Sequence, residues 1–563
     1  MSNEAHPLTH NEEIKTAIPT VAGTIAATLA DTEADHFSQD DYEFLKFHGC
    51  YQQDDRDLRK TQKKYIMMVR SRIPGGVMTA NQWKIFDRLA SEYGNNTLRV
   101  TTRQTIQFHG ILKNNLRAVI KGINESLLST LAACGDVSRN VLAPPTPAYT
   151  KARDEVYADC KAIALALAPR TKAYHSIWIE GVQLDLDSEE NKNFVDPLFG
   201  RSYLPRKFKV AFAIPPVNDV DVFTNDVGFI AVVENDQVTG YNVAVGGGMG
   251  RSHGNEQTYP RLADVIGFLP REKMAEVTKA ALTIHRDFGD RTNRKHARFK
   301  YIVAERGVDW TRAEIEQRAG LKLSPAREYK FTTTADLLDW RQATDGKWFL
   351  TVFVETGRVK DVEGRKLKTA LREAAEQFPN LEFRLTTNQN VILANADHRE
   401  KGAITALLAA RGVKTENQAG VLRAAAMACP ALPTCGLALA ESERLLPGLI
   451  DRIEKLCAEV GLAGEEIIIR STGCPNGCAR PYMGDIGFVG RSKDLYDIYL
   501  GGDWNNTRLN SVYKTAVRRE ALASELHPLL VAWAEERYPG EDFGDFCLRT
   551  VLSARTHTLD LVR

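Results

Sequence analysis

Two hydrophobic periods alternate along the chain. YIMMVRSRI (65–73), KFKVAFAIPP (207–216) and DVGFIAVV (226–233) are short runs rich in β-branched and aromatic residues and read as strands, whereas NQWKIFDRLASEY (81–93) reads as a helix. The mixture predicts an α+β (mixed α/β) chain and excludes all-helical and all-β folds. Residues 1–46 break the pattern: nine acids stand against two bases, Lys15 and Lys46, with little apolar periodicity and several turn formers. This composition predicts a flexible acidic N-terminal arm, with ordered structure starting near FHGCYQQDDRD (47–57).

The same strand and turn pattern occurs twice. LRVTTRQTIQFHG (98–110) aligns with FRLTTNQNVILAN (383–395) at Arg, Thr, Thr and Gln. DVGFIAVVENDQVTGYNVAVGGGMG (226–250) and DIGFVGRSKDLYDIYLGGDW (485–504) follow in the same order, each a strand, a turn, a second strand and a glycine-rich end. Two long copies are too few for a stacked solenoid and predict a duplicated two-part unit. Chance likeness between β-hairpins is the alternative, and the shared order of both pairs argues against it. A duplication creates a pseudo-twofold interface, a common place for a large cofactor.

Composition narrows the functional classes. At 563 residues, 43% hydrophobic and 26% charged, the chain has room for several cores. Its 73 Lys+Arg against 72 Asp+Glu leave no global basic field for nucleic acid or an anionic membrane. No apolar run is long enough for a membrane span and no leader pattern opens the sequence, so a soluble cytoplasmic chain is expected. The glycine patterns of nucleotide-binding loops are missing, and NADPH or flavin binding by this chain itself is not expected.

The nine cysteines include two tight pairs, Cys429 and Cys435 in ACPALPTCG and Cys474 and Cys478 in TGCPNGCARP, with five and three intervening residues. Structural zinc sites favour about two to four. Four thiolates in Pro- and Gly-rich loops suit a 4Fe–4S cluster, because such loops turn backbone N–H groups toward the sulfurs. Structural zinc and unliganded thiols are the rivals. The first copy has no cysteines at the corresponding loops, so one half alone carries metal. Cations gather near the repeats: Arg70, Arg72, Arg99, Arg103, Arg139, Arg206, Lys207 and Lys209. In a strand, residues 207 and 209 share a face, and two ammonium groups there require an anion between them. An ordinary solvated surface is the bland alternative. His48 and His109, each beside a glycine, read as structural.

CPALPTC followed by TGCPNGCARP resembles the siroheme and iron–sulfur signature of the nitrite and sulfite reductase family. FHGCYQQDDRD, RIPGGV, TTRQTIQFHG, SRNV, LPRKFK and VGGG match the family in the same order, nearest to its NADPH-dependent assimilatory branch. The resemblance runs from about residue 47 to the C-terminus. It implies a pseudo-twofold duplicated fold of paired ferredoxin-like half-domains (47–135 and 326–415) and two flanking α/β domains. Of these, 136–325 binds siroheme and substrate without a cluster, and 416–563 carries the cluster and the axial cysteine. It also implies a six-electron reduction of sulfite to sulfide, with electrons from a separate flavoprotein (alpha) subunit that holds FAD and FMN and oxidises NADPH; ferredoxin serves related enzymes. Cys429, Cys435, Cys474 and Cys478 are the implied cluster ligands, Cys478 also being axial to the siroheme iron. Arg99, Arg103 and Arg206 are the implied partners of the eight siroheme carboxylates, and Gln107, His109 and Asn476 line the pocket. Arg70, Arg139, Lys207 and Lys209 are the implied substrate cations. A nitrite reductase with the same cofactors is the nearest rival, and Lys209 argues against it because such enzymes usually place a neutral asparagine there. Ala479 departs from the glycine that relatives often have after the fourth cysteine. The arm 1–46 is expected to dock the flavoprotein.

Overall fold

The computed structural model describes residues 7–59, 61–147, 151–170, 178–179, 182–183 and 194–553. The repeated TTRQ and TTNQ motifs are turns between antiparallel strands: Leu98–Val100 with Ile106–Ile111 in the first copy, Glu382–Leu385 with Val391–Ala396 in the second. Gln104 (φ +52°) and Gln389 (φ +74°) each take the left-handed conformation that tightens the turn. Each half-domain builds a five-stranded sheet, and each sheet is completed by the other half. Val77–Thr79 pairs with Glu382–Leu385, and Arg358–Val359 pairs with Leu98–Val100. The boundaries expected for the half-domains are therefore crossed by two short strands.

Helix Ala80–Tyr93 follows the exchanged strand directly. Thr79 caps it, its hydroxyl accepting from the Gln82 N–H at 3.2 Å while the Gln82 side chain accepts from the Thr79 N–H. Trp83, Phe86 and Ala90 fall on one face and are buried. Trp83 stacks on Phe383 of the second copy at 4.7 Å between centroids, so this helix also ties the halves together.

The flanking α/β domains repeat one sheet pattern. Val210–Ala213 runs parallel to Val227–Glu234, and Ile469–Thr472 runs parallel to Ile486–Ser492. In both, an aspartate at the entry of the second strand accepts a backbone N–H from the first: Asp226 from Lys209 at 2.9 Å and Asp485 from Ile468 at 2.8 Å. Lys207 and Lys209 precede the regular strand instead of lying in it. One apolar core joins the N-terminal segment, both half-domains and the first α/β domain, and a second fills the last domain.

The N-terminal expectation fails over its described part. Residues 7–46 form helices His10–Ala17, Ile25–Ala30 and Gln39–Leu45. Phe37, Phe44 and Leu45 are at most 3% exposed in the main core. The acids that suggested a solvated arm are partners instead: Lys15, buried, bonds Glu12 at 2.6 Å, Asp136 at 3.3 Å and the Leu204 carbonyl at 2.8 Å. Residues 1–6 lie outside the described residues. Among the described residues no helix is long and apolar enough to cross a membrane.

Candidate cofactor and substrate site

At the junction of the first half-domain with both α/β domains lies a cavity of about 360 Å³. All four paired cysteines line it, together with Arg70, Arg99, Gln107, His109, Arg139, Arg206, Lys207 and Asn476. Twelve of the fourteen residues marked in the sequence therefore converge on one place, and the solvated-surface alternative fails.

The cysteine loops are held by backbone hydrogen bonds. Cys429 N–H donates to the Ser471 carbonyl at 3.2 Å, and the Leu439 and Ala440 N–H groups both donate to the Gly473 carbonyl at 2.8 and 2.9 Å. Gly473 N–H points at Cys429 Sγ (3.3 Å), and Asn476 Nδ2 at Cys474 Sγ (3.5 Å), as the loop composition predicts. A Cβ on Gly473 would lie 2.4 Å from the Ala440 carbonyl oxygen, so glycine is required by close approach. Ala479 is fully buried in an apolar nest with Met427, Cys429, Ala431 and Ala438, where its methyl group is accommodated. Burial first, and then the neighbouring sulfurs, raise the Cys429 and Cys435 thiols above their usual range and Cys474 to about 12. Cys429, Cys435 and Cys474 therefore resist ionisation until a cation neutralises them.

The same cavity is also lined by cations. Arg139 is braced by the Gly135 and Ala133 carbonyls at 2.9 and 3.1 Å. Gln107, with its amide oxygen turned to the guanidinium, accepts from Arg70 Nε at 3.2 Å. Burial, then the surrounding cations, push Lys207 and Lys209 well below the usual lysine range. An anion placed among them restores their charge. His109 is 3% exposed, and neither ring nitrogen has a partner within the protein. Burial, then Arg358, hold it well below the usual histidine range, so a neutral imidazole with both nitrogens unmet faces the cavity. That is a site for a polar ligand group, not the self-satisfied turn histidine expected. A cationic wall, an orphaned imidazole and four crowded thiols fit a polycarboxylate macrocycle beside an iron–sulfur cluster.

Three of the expected site residues sit differently from the rest. Arg103 is not on the wall: its guanidinium donates to Asn225 Oδ1 (3.0 Å) and the Asn140 carbonyl (2.5 Å), tying the TTRQ turn to the first α/β domain. Lys209 is not among the lining residues; it is close enough to Lys207 and Arg103 to feel their charge, and its backbone N–H is fixed by Asp226. Arg99 reaches the wall but is engaged within the protein, donating to Glu443 Oε2 and the Ala428 carbonyl, both at 2.7 Å. Tyr42, Lys46 and Arg294 line the cavity unforeseen. Arg294 is fixed by a bidentate pair with buried Asp136 (2.7 and 3.0 Å). Burial opposes the Asp136 charge, yet Arg294 and Lys15 hold its carboxyl far below the usual range. Lys46 stands alone before the FHG motif, and only the packing of its helix brings it to the site.

The sequence matches the family described as "Nitrite and sulphite reductase 4Fe-4S domain" over residues 159–323 and the "Nitrite/Sulfite reductase ferredoxin-like half domain" over 59–126 and 341–411. The two half-domain matches coincide with the two sheets that exchange strands. The first match falls on the copy without paired cysteines. Curated relatives from Myxococcus xanthus (46% identical, covering 98% of each chain), Staphylococcus saprophyticus (47%; 97% and 96%) and Geobacillus kaustophilus (48%; 91% and 90%) are each named as the NADPH sulfite reductase hemoprotein beta-component. The solved structure of the Mycobacterium tuberculosis NirA protein shares the fold, with a TM-score of 0.79 at 22% identity over 97% of each chain. With its duplicated sheets, its cysteine quartet and relatives of this similarity over nearly its whole length, the chain belongs to the nitrite and sulphite reductase family.

Proposed function

We propose that this chain reduces sulfite to sulfide in sulfur assimilation, as the haemoprotein component of an NADPH-dependent sulfite reductase. The observation that carries the reading is one cavity lined by four thiols together with Arg70, Arg139, Arg206 and Lys207. Cys429, Cys435, Cys474 and Cys478 would hold the 4Fe–4S cluster, with Cys478 shared with the siroheme. Arg206, His109, Gln107 and Asn476 would meet siroheme carboxylates. When bound, siroheme and the cluster supply single electrons and an iron for the substrate. Arg70, Arg139 and Lys207 would neutralise the substrate anion and the charge that develops as S–O bonds break. Lys207, displaced toward its neutral form by burial, takes up a proton when an anion arrives and can return it to a departing oxygen. Lys209, within electrostatic reach of Lys207, would add a second positive charge once an anion restores its proton, which favours a dianion over a monoanion in a low-dielectric site.

The names of the curated relatives support a separate alpha component that delivers electrons from NADPH; a flavoprotein suits the change from hydride to single electrons. The test is protein purified from a siroheme-competent host. It should carry siroheme absorption bands and about four cluster irons per chain. With reduced methyl viologen it should turn over sulfite, and with NADPH only when the flavoprotein is added. Lys209→Asn should depress sulfite turnover more than nitrite turnover. Colourless, zinc-loaded protein would overturn the reading, and NADPH-driven turnover without a second protein would overturn the partner.

A further inference from the structure

The pseudo-twofold relation places two residues of opposite charge at equivalent positions. Asp221 (φ +48°, ψ +61°) caps the short 3-10 helix Val222–Thr224, which leads into the strand containing Gly228. Arg480 (φ +53°, ψ +50°) caps Pro481–Met483, which leads into the equivalent strand of the cysteine-bearing copy. Both are in the left-handed region and both are buried, at 1% and 6% exposure. They meet each other: Arg480 Nε donates to Asp221 Oδ2.

The arginine also spans the two copies. Its Nη1 donates to the Thr102 carbonyl (3.1 Å) and its Nη2 to the Thr387 carbonyl (3.3 Å), the second threonines of the TTRQ and TTNQ turns. Thr102 in turn donates its hydroxyl to the Cys478 carbonyl at 3.0 Å. Arg480 Nη2 lies 3.7 Å from Met427 Sδ, and Met427 packs in the nest that contains Cys429 and Ala479. A second cation, Arg470 (2% exposed), donates to Asp221 Oδ2 at 2.8 Å, and Asn506 donates to Oδ1 at 2.6 Å. The buried cluster thus contains one anion and two cations.

An excess cation in a low-dielectric interior stabilises electrons added nearby. Iron–sulfur potentials respond to net charge and hydrogen bonding around the cluster. We propose that Asp221, Arg470 and Arg480 form an electrostatic and positioning device that raises the reduction potential of the adjacent 4Fe–4S cluster, with Asp221 moderating the effect. Arg480 is a positioning residue: it fixes the backbone that presents Cys478 against both turns. The two copies supply equivalent caps of opposite charge. The inference rests on the cluster assigned above and extends it to how readily that cluster accepts an electron.

The test is a redox titration of the holoenzyme, followed by the electron paramagnetic resonance of the cluster and by siroheme absorbance, with no turnover needed. Asp221→Asn should raise the cluster potential, Arg470→Met should lower it, and Arg480→Lys, which keeps the charge, should leave it near that of the unaltered protein. A purely structural network would move the first two in one direction. The same sign for both, or no shift in either, would overturn the proposal. If only one of the two loads its centres, the sign of that shift decides. Failure of all three variants to load would overturn it by assigning the network to folding. Absence of a cluster from the unaltered protein would instead sink the functional reading.

Discussion

Arg99 shows how a side chain's role is set by its partner. Its strand faces Arg358–Val359 of the other half, with Arg99 directly opposite Arg358, a repulsive register on its own. Glu443 resolves it: Oε2 accepts from Arg99 (2.7 Å) and Arg358 Nη2 (2.9 Å), and Oε1 from Arg358 Nε (2.7 Å). Burial opposes the Glu443 charge, but Arg99 and Arg358 win and hold its carboxyl at about 2, below the ordinary 4.5. A carboxyl lowered on folding stabilises the native state above its unfolded value, and that stabilisation is lost as pH falls from about 4.5 to about 2. Glu443→Gln should therefore cost about 3 kcal/mol at pH 7, since two guanidinium groups lose their counter-charge. The difference from the unaltered protein should shrink toward pH 3. Urea midpoints at both pH values check this, and a pH-independent difference would show that packing alone is at work.

Among the elements, the N-terminal helices reverse the sequence expectation most fully. Composition counted nine acids in residues 1–46 but could not show that Glu12, Asp41 and Glu43 have protein partners. Ser38 caps Gln39–Leu45 by accepting from the Asp41 N–H at 3.2 Å, and the helix buries Phe44 and Leu45 while its last turn leads to Lys46 on the cavity wall. Each such apolar side chain contributes about 1.5 to 3 kcal/mol on burial. Deleting residues 1–46 should then remove siroheme binding and solubility together, and not merely contact with a flavoprotein. Absorption spectra and sedimentation of the truncated chain measure both. A soluble truncated protein with full siroheme bands would restore the picture of a dispensable docking arm.

At the scale of the whole molecule, the duplication places a cysteine in one half where the other has a proline. Gln104 Nε2 donates to the Ala143 carbonyl (2.8 Å) and its Oε1 accepts from the Ala143 N–H (3.1 Å); Gln389 grips Ala428 in the same way (2.8 and 3.3 Å). Pro144 follows Ala143, and Cys429 follows Ala428. The same clamp precedes Cys429, a proposed cluster ligand, in one copy and a proline in the other. Gln389→Ala should lower cluster iron and acid-labile sulfide per chain. Gln104→Ala should lower the thermal midpoint with cluster content intact. Equal loss of iron in both would mean that the two clamps serve folding alone.

Local chemistry was legible in the sequence. Cysteine spacing, proline- and glycine-rich loops and turn motifs act within a few residues of one another, and the duplication is a comparison of the chain with itself. Hence the paired sheets were legible, and the four cysteines and most of the marked cations proved to line one cavity. Charge pairing was not legible, because an arginine bonds whatever carboxylate or carbonyl the fold brings to it. Arg99 meets Glu443 across 344 residues, and Arg103 is drawn into a domain contact by Asn140 and Asn225. Strand exchange was hidden for a related reason: Val77–Thr79 and Arg358–Val359 are too short to carry a period, and only the partner sheet gives them a place. The sequence determined which groups could do the chemistry; tertiary structure decided which of them remain free to do it.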